Sequence, residues 1–275
     1  MRAIYRYLER VLERVMMTEP IKKPSTVMKY YGSKYRLAKH YPRPKHRKII
    51  EPFAGAAGYS LRYPEREVHL YDLNEKVCGV WDFMIRATAK EILALPLLDF
   101  DETIDALSDD IPQEAKWLIG FWLGYAVAEP KKSFSPSCHD SFLKNREWST
   151  VWGERRRMLL SQTSTMIKHW KITHASYESI PNLQATWFID PPYACKAGRH
   201  YTHDSIDYTA LSEWCRSRDG QVTVCENSDS PPWLPFVYFK ETSGAYMAEN
   251  TAKITQEVWW TNTGEHLKDV QLSLF

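Results

Sequence analysis

The chain has 275 residues, of which 44% are hydrophobic, so it is long enough to bury one sizeable core with a smaller lobe attached. No apolar run approaches the length of a membrane span, and the five cysteines show no C-x-x-C spacing, which argues against a structural zinc site. A reduced, cytoplasmic protein without a bound metal is the simplest expectation.

The formal net charge of +2 conceals an uneven distribution of charge. Residues 21–50 contain ten lysines or arginines and no acid, whereas residues 99–114 contain seven acids and no base. Because tyrosines are interleaved with the basic residues, the first stretch suits a polyphosphate backbone, with a solvated basic face as the alternative. The acidic stretch is interpreted as a solvated face rather than a metal site.

The first 27 residues are predicted to lie outside the main domain. Residues 2–17 place five apolar side chains on one helical stripe with arginines between them, which predicts an amphipathic helix. The segment has no continuous apolar core, so it is not typical of a secretory signal. Residues 18–27 have the composition of a linker.

Two predicted strands follow, and each ends at a candidate binding feature. Residues 48–51 run into a glycine turn, residues 51–58 (EPFAGAAG), whose glycines let the backbone pass closely under a ligand. Residues 68–71 end at Asp72, which can accept hydrogen bonds from the two hydroxyl groups of a ribose. A purely structural turn is the alternative for both features.

The rest of the chain is predicted to alternate helices with strands. From about residue 90 to about residue 170 it is expected to be mostly helical, with prolines interrupting the helices. The remaining predicted elements are a helix at 208–218 and strands at 186–189, 221–225, 236–241 and 257–261. This alternation predicts an α/β fold with a largely parallel sheet.

The most informative motif is the tetrad Asp190-Pro191-Pro192-Tyr193, which follows the strand at 186–189. Two prolines cannot continue a strand ladder, so the chain must leave the sheet there. An acid and an aromatic ring then lie at the carboxyl end of a strand, where open α/β sheets bind ligands. The Asp190 carboxylate and the Pro191 carbonyl can accept both hydrogens of an exocyclic amino group, and the Tyr193 ring can stack on the base. An ordinary turn is the alternative.

Four blocks together resemble the DNA adenine methyltransferases related to the bacterial Dam enzymes, which use S-adenosylmethionine. In the family's order, the blocks are residues 29–34 (KYYGSK), 51–58 (EPFAGAAG), 70–74 (LYDLN) and 190–193 (DPPY). The resemblance implies an α/β fold, a Rossmann-like methyltransferase sheet with a mostly helical inserted target-recognition lobe. The implied divisions are residues 1–27, a catalytic domain of 28–82 and 178–265, the insert at 83–177, and a flexible tail at 266–275.

The resemblance also implies roles for individual residues. Base flipping would bring the adenine amino group to the tetrad for a direct in-line displacement, without a covalent adduct of the base. The implied catalytic residues are Asp190, Pro191, Pro192 and Tyr193. The implied cofactor contacts are Tyr30, Lys34, Glu51, Pro52, Phe53, Gly55, Asp72, Tyr177 and Asp190.

The chain departs from the family's pattern at two places. The family usually has Lys-Trp-Ala-Gly-Gly-Lys where residues 29–34 read KYYGSK. Near the cofactor's adenine the family often has an acid followed by an aromatic residue, whereas this chain has Ser176 followed by Tyr177. Another group must then serve in place of the acid, or cofactor affinity is weaker.

The insert is expected to contact double-stranded DNA, mostly through phosphates, since only a few such residues would read bases. Its recognition sequence cannot be read from the chain. The candidate contacts are Lys131, Lys132, Lys144, Arg146, Arg155, Arg156 and Arg157 in the insert, and Arg199 and Tyr201 after the tetrad.

The last five residues (QLSLF) resemble the short peptide by which bacterial replication proteins bind the sliding clamp. The predicted contacts are Gln271, Leu272, Leu274 and Phe275. A final strand or a frayed end is the alternative. Such a tether would raise the enzyme's effective concentration at replicating DNA.

Two other functions are compatible with the same features. Cytosine-N4 methylation is a close enzymatic alternative, although those enzymes more often have Ser at the position of Asp190. A non-catalytic DNA- or clamp-binding protein on the same fold is an alternative of a different class. A maintenance enzyme, a restriction-linked enzyme and a phage enzyme are all consistent with the sequence.

Overall fold

The computed structural model describes residues 23–139, 150–243 and 254–264. Short 3-10 helices connect several of its elements. In chain order, the main elements are β1 (Lys48–Glu51), β2 (Glu67–Asp72), α1 (Glu75–Arg86), α2 (Ala89–Ala94), α3 (Gln113–Gly120), α4 (Glu154–Met166), β3 (Lys171–His174), β4 (Ala185–Ile189), α5 (Tyr208–Arg216), β5 (Gly220–Asn227), β6 (Val237–Ser243) and β7 (Ile254–Thr261).

The seven strands of the described residues form one sheet in the order β3-β2-β1-β4-β5-β7-β6. Strand β1 pairs in parallel with β2 and with β4, and β4 pairs in parallel with β5. Strand β7 is antiparallel to both of its neighbours. The predicted α/β, Rossmann-like sheet is confirmed, and its last two strands make it a mixed sheet.

The central strand β4 explains why the sheet needs cover on both faces. All five of its residues are buried, without the alternation of a strand that has one face in water. The order of strands reverses between β1 and β4, because β2 and β3 lie on one side of this pair and β5 on the other. Ligands of open α/β sheets bind at the carboxyl ends of the strands at such a switch point.

Two sequence predictions need correction. Strand β3 was not predicted, because its sequence KITH is short and mostly exposed and so carries no hydrophobic pattern. The stretch from 90 to 170 is less helical than predicted: irregular segments separate α2, α3 and the later α4. Prolines such as Pro96, Pro112 and Pro130 explain these breaks, since proline cannot occupy a helix interior without disrupting it.

The described residues fall into two compact units. One comprises His40–Gly55, Arg66–Glu75 and the residues from Ile172 onward, and it contains the sheet, with buried side chains from β1, β4, β5 and α5 in its core. The other, called the helical unit below, comprises the residues up to Lys39, Ala56–Glu65 and Lys76–Lys171.

In this helical unit the buried Trp122 donates from its indole N–H to the carbonyl of Val27 over 2.8 Å. The division by compactness differs from the functional boundaries predicted above, which stay a prediction.

Candidate active site

The glycine turn that follows β1 is held by the end of β2. Gly55 has a φ of 42°, a left-handed conformation that favours glycine. Its N–H donates to Oδ2 of Asp72 over 2.9 Å, and the N–H of Ala54 donates to the carbonyl of Tyr71 over 2.9 Å. Glu51, the last residue of β1, is 2% exposed. Hydrogen bonds therefore join the ends of these two parallel strands at one edge of the sheet.

Asp72 has a turn-ordering role at this edge. Its Oδ1 accepts from the N–H of Asn74 over 2.8 Å, in addition to the bond that Oδ2 accepts from Gly55. Burial raises the pKa of the Asp72 carboxyl group, while the backbone donors and the nearby His203 oppose the rise. The loop that carries His203 therefore comes within electrostatic reach of Asp72. Contact between Asp72 and a ribose stays a prediction.

The tetrad of residues 190–193 follows β4 directly, and the chain leaves the sheet there as the sequence predicts. The two prolines are buried and Tyr193 is partly exposed. The hydroxyl of Tyr208 donates to the carbonyl of Pro192 over 2.6 Å, and the hydroxyl of Tyr193 donates to Oε2 of Glu257 over 2.6 Å. These two bonds attach the tetrad to α5 and to β7.

Glu226, near the end of β5, is fully buried and holds the residue that follows the tetrad. Its Oε2 accepts from the N–H of Ala194 over 3.2 Å and from the indole of Trp233 over 2.7 Å. Its Oε1 accepts from the N–H of Asn227 and the hydroxyl of Ser230, each over 2.8 Å. Burial raises the pKa of Glu226 against the effect of these donors. Four donors fill the acceptor capacity of a carboxylate, so Glu226 orders the loop rather than a ligand.

Gly198 allows the loop after the tetrad to close tightly. A Cβ atom at this position would lie 2.0 Å from the carbonyl oxygen of Tyr193, which no side chain tolerates. The N–H of Gly198 donates to the carbonyl of Cys195 over 3.0 Å. On the same loop, the predicted DNA contacts Arg199 and Tyr201 are exposed and half-buried, respectively.

Tyr177 begins a 3-10 helix and packs between two aromatic rings. Its ring centroid lies 5.5 Å from that of Phe53, in the glycine turn, and 5.2 Å from that of Trp214, on α5. Ser176 donates from its hydroxyl to Oε2 of Glu178 over 2.9 Å. An exposed carboxylate is therefore fixed two residues after the position where the resemblance expects an acid.

The first of the four blocks lies in the helical unit. Lys34 is 5% exposed, and its Nζ donates to the carbonyl of Gly32 over 3.1 Å. Tyr30 packs edge-on against Phe121 with ring centroids 5.9 Å apart. A Cβ atom at Gly58 would lie 2.4 Å from the backbone nitrogen of the residue after Lys34, so the first block and the end of the second are in contact. Cofactor contacts by Tyr30 and Lys34 stay predictions.

The predicted DNA contacts of the helical unit fall into two groups. Lys131 and Arg155 are exposed, and the exposed Lys132 forms an ion pair with Asp105 over 2.7 Å. Arg156 and Arg157 are 5% and 3% exposed, so their prediction as DNA contacts is wrong.

Both buried arginines are held inside the unit. Arg156 lies 3.5 Å above the centroid of the Trp122 ring and donates to the hydroxyl of Ser25 over 2.8 Å. Arg157 donates to the carbonyl of Leu95.

Several predictions fall outside the described residues. They concern the N-terminal helix, the DNA contacts Lys144 and Arg146, and the clamp contacts Gln271, Leu272, Leu274 and Phe275. No helix in the described part of the chain is both long and apolar enough to cross a membrane. Within residues 23–139, 150–243 and 254–264, no cluster of three His, Cys, Asp or Glu side chains has an arrangement suited to a metal ion.

Three site residues were not predicted from the sequence: Tyr208, Glu226 and Glu257. Each contacts the tetrad loop from a segment that lies far along the chain. Glu226 carried a usable signal, since a lone acid in the otherwise buried strand β5 is rare unless it has a defined partner.

No family model and no curated protein matches the chain. Solved structures with weak similarity include a Haemophilus influenzae protein named as a methylase, with 12% identity, 78% of each chain covered and a TM-score of 0.29. Escherichia coli yhhF, named as a methyltransferase, has 8% identity, coverage of 77% and 73%, and a TM-score of 0.28. A Pyrococcus horikoshii protein named as an RNA methyltransferase has 8% identity, coverage of 92% and 96%, and a TM-score of 0.35.

Proposed function

We propose that this chain transfers a methyl group from S-adenosylmethionine to the exocyclic amino group of adenine at a short sequence in DNA. One observation carries the proposal. The glycine turn after β1, Asp72 at the end of β2 and the Asp-Pro-Pro-Tyr tetrad after β4 lie at the carboxyl ends of three adjacent parallel strands, with the switch point of the sheet between β1 and β4. Ligands of this sheet type bind at that edge.

The residues at this edge fit the chemical parts of S-adenosylmethionine. The carboxylate of Asp72 suits two ribose hydroxyls, and the neighbouring rings of Phe53 and Tyr177 suit an adenine. The exposed carboxylate of Glu178 suits the exocyclic amine of that adenine. The cofactor, when bound, supplies a methyl group made electrophilic by a sulfonium.

We propose that Asp190 binds the target amino group. An ionised carboxylate only accepts hydrogen bonds, so Asp190 can hold both an amino hydrogen and the partial positive charge that develops on the attacking nitrogen. The amine nitrogen must lose its conjugation with the base ring before its lone pair can attack. Accepting its hydrogens out of the ring plane favours that change, and positioning supplies most of the remaining acceleration.

The negative charges around the tetrad support a reaction that passes through a cation. Burial raises the pKa of the Tyr193 hydroxyl. The negative charges of Glu257 and Asp190, in that order, add to this rise. The same field stabilises a sulfonium and a methylated amine that has not yet lost its proton. Asp190 is the proposed acceptor for that proton.

The target base must leave the duplex to reach the tetrad. Unstacking costs a few kcal/mol, and stacking on the Tyr193 ring returns about 1–3 kcal/mol of that cost. Arg199, exposed on the loop after the tetrad, is a proposed phosphate contact, and the exposed Lys131, Lys132 and Arg155 are the proposed phosphate contacts of the insert.

Nucleoside mass spectrometry of unmethylated DNA incubated with the protein and S-adenosylmethionine tests the proposal. We expect N6-methyladenine from the wild type and a loss of at least about 10²-fold in turnover for Asp190→Ala. Asp109→Ala is the matched control, because this exposed acid belongs to the helical unit and is not a residue of the proposed site. Methylcytosine would move the assignment to cytosine-N4, and near-normal turnover of Asp190→Ala would remove the role of Asp190.

We further propose that residues 271–275 tether the enzyme to the bacterial sliding clamp. The support is the sequence QLSLF, which offers two apolar anchors and a glutamine that sets the register. A variant that lacks these five residues should lose clamp binding in surface plasmon resonance and keep its methyltransferase activity on short duplexes. Equal clamp binding by both proteins would refute the tether.

A further inference from the structure

Two carboxylates reach the tetrad loop from neighbouring antiparallel strands. In the register of β5 and β7, Glu226 lies opposite Val258, and Asn227 lies opposite Glu257. Because side chains alternate along a strand, Glu226 and Glu257 point to opposite faces of the sheet. Glu226 holds a backbone N–H at Ala194, whereas Glu257 holds the side chain of Tyr193. The two acids therefore act on different parts of the loop.

The bond between Tyr193 and Glu257 has the geometry of a strong interaction. Its O···O distance of 2.6 Å lies in the range of hydroxyl donors to ionised carboxylates. Glu257 is 6% exposed, so its side chain is shielded from competing water. A ring fixed at its far end by such a bond cannot rotate freely about its side-chain torsions.

Stacking on a base does not explain why residue 193 carries a hydroxyl group. A phenylalanine ring would offer a base the same aromatic surface, so stacking alone does not require an oxygen at this position. The backbone on either side is already fixed, by Tyr208 at Pro192 and by Glu226 at Ala194. What the hydroxyl adds is a fixed position for the far end of the ring.

We propose that Glu257 is a positioning residue, which fixes the Tyr193 ring as a preorganised stacking surface for the flipped target base. The inference deepens the proposed function and rests on it for the identity of the ligand. Preorganisation lowers the ordering cost of base capture. Glu257 affects base capture through its bond to Tyr193, so removing either partner of the bond should produce the same loss of affinity.

The test uses the full-length protein and a target duplex with 2-aminopurine in place of the target adenine. Tyr193→Phe and Glu257→Ala should each reduce the affinity for this duplex about two- to tenfold, because the freed ring must then be ordered when the base binds. The double variant should be no worse than either single variant, because both changes remove the same bond. Glu257→Gln keeps an acceptor oxygen and should restore most of the affinity.

Two controls make the result specific. Glu241→Ala removes an exposed acid from the neighbouring strand β6 and should leave the affinity unchanged. Tyr193→Ala should bind the duplex more weakly than Tyr193→Phe, because it loses the ring as well as the hydrogen bond. Additive effects of Tyr193→Phe and Glu257→Ala, or wild-type affinity in Glu257→Ala, would overturn the inference.

A double-mutant cycle on the melting temperatures of Tyr193→Phe, Glu257→Ala and the double variant separates this inference from the proposed function. If the wild type methylates no base, the proposed function fails, yet non-additive melting temperatures would still support the fixing of Tyr193 by Glu257. If the wild type methylates adenine and the melting temperatures are additive, the proposed function stands and the positioning role is wrong.

Discussion

The backbone N–H of Gly55 donates to Oδ2 of Asp72 over 2.9 Å, so the acid at the end of β2 fixes the turn that follows β1. The same carboxylate holds the N–H of Asn74 with its other oxygen. One side chain thus orders two backbone segments at the edge where the cofactor is proposed to bind. Its effects on cofactor affinity and on turn stability are therefore expected to appear together.

Asp72→Asn tests this coupling. The amide group replaces one acceptor oxygen with a donor, which then faces a backbone N–H that had been satisfied. We expect the free energy of unfolding to fall by about 1–3 kcal/mol and the affinity for S-adenosylmethionine to fall at least about tenfold. Urea unfolding and calorimetry measure the two effects. The exposed Asp109→Asn serves as the control, and unchanged cofactor affinity in Asp72→Asn would contradict the ribose contact.

Glu178 is expected to serve in place of the acid that Ser176 lacks. Its carboxylate accepts a hydrogen bond from the Ser176 hydroxyl, and Glu178 directly follows Tyr177 in the same 3-10 helix. Glu178→Gln should lower the affinity for S-adenosylmethionine roughly three- to tenfold, because a charged acceptor becomes a neutral amide. It should change the affinity for an analogue without the adenine amino group much less. Glu213→Gln, on an exposed part of α5, is the matched control, and equal losses with both ligands would place Glu178 outside the cofactor site.

The parts of the fold that the sequence predicts best are the central strands and their ends. Strands β1, β2 and β4 are short segments with apolar residues at their centres, and they stop at a turn, an acid or a pair of prolines. In β4, burial on both faces removes the need for alternation, and the residues that break each strand mark its end locally. The tetrad, the glycine turn and Asp72 are therefore all visible before the chain is folded.

The contacts that hold the tetrad could not be predicted in the same way. Tyr208 and Glu257 lie on α5 and β7, and their bonds to the tetrad span 16 and 64 residues of sequence. Such partners depend on strand order and register, which local patterns do not specify. The error at Arg156 has a related cause, because a run of three arginines indicates a basic surface unless the helix face that each occupies is known.

The neighbouring residues Arg155 and Arg156 should differ sharply when they are replaced. Arg156 is buried against Trp122, whereas Arg155 is exposed on the same helix, α4. Arg156→Ala should lower the free energy of unfolding by about 2–3 kcal/mol through lost packing and lost hydrogen bonds. Arg155→Ala should leave stability within about 0.5 kcal/mol of the wild type.

DNA binding at several salt concentrations distinguishes the two arginines further. If Arg155 contacts a phosphate, Arg155→Ala should weaken binding on all sequences and reduce the salt slope by about one. Arg156→Ala should keep the wild-type slope at a temperature where it is fully folded. An unchanged slope in Arg155→Ala would make Arg155 an ordinary surface charge.

Lys29 is a partly buried residue of the helical unit, and its charged form destabilises the folded state. Its Nζ lies 3.8 Å from the centroid of the Tyr125 ring and, among the described residues, has no hydrogen-bond acceptor. Burial lowers the pKa of Lys29 from 10.5 to about 8, with Arg156 adding to the decrease and Cys138 opposing it. The folded state therefore favours the neutral amine more than the unfolded state does.

The sign of the pH dependence follows from this difference. Between about pH 8 and pH 10.5 the unfolded chain binds more protons at Lys29 than the folded chain does, so this residue makes the free energy of unfolding rise with pH across that window. Below about pH 8 the penalty is present in full. Lys29→Met keeps an apolar chain against Tyr125 and should stabilise the protein at pH 7 by about 1–2 kcal/mol, a figure reduced for the partial exposure of Lys29.

Urea unfolding of the wild type and of Lys29→Met at pH 7 and pH 9.5 measures the effect. Other groups titrate in this range, so the informative quantity is the difference between the two proteins at each pH. That difference should be largest at pH 7 and should shrink as the wild-type amine loses its proton. Lys131→Met, at an exposed position of the same unit, should show no such trend. A constant difference would mean that Lys29 stays protonated in the folded protein and that its cation–π contact with Tyr125 offsets its burial.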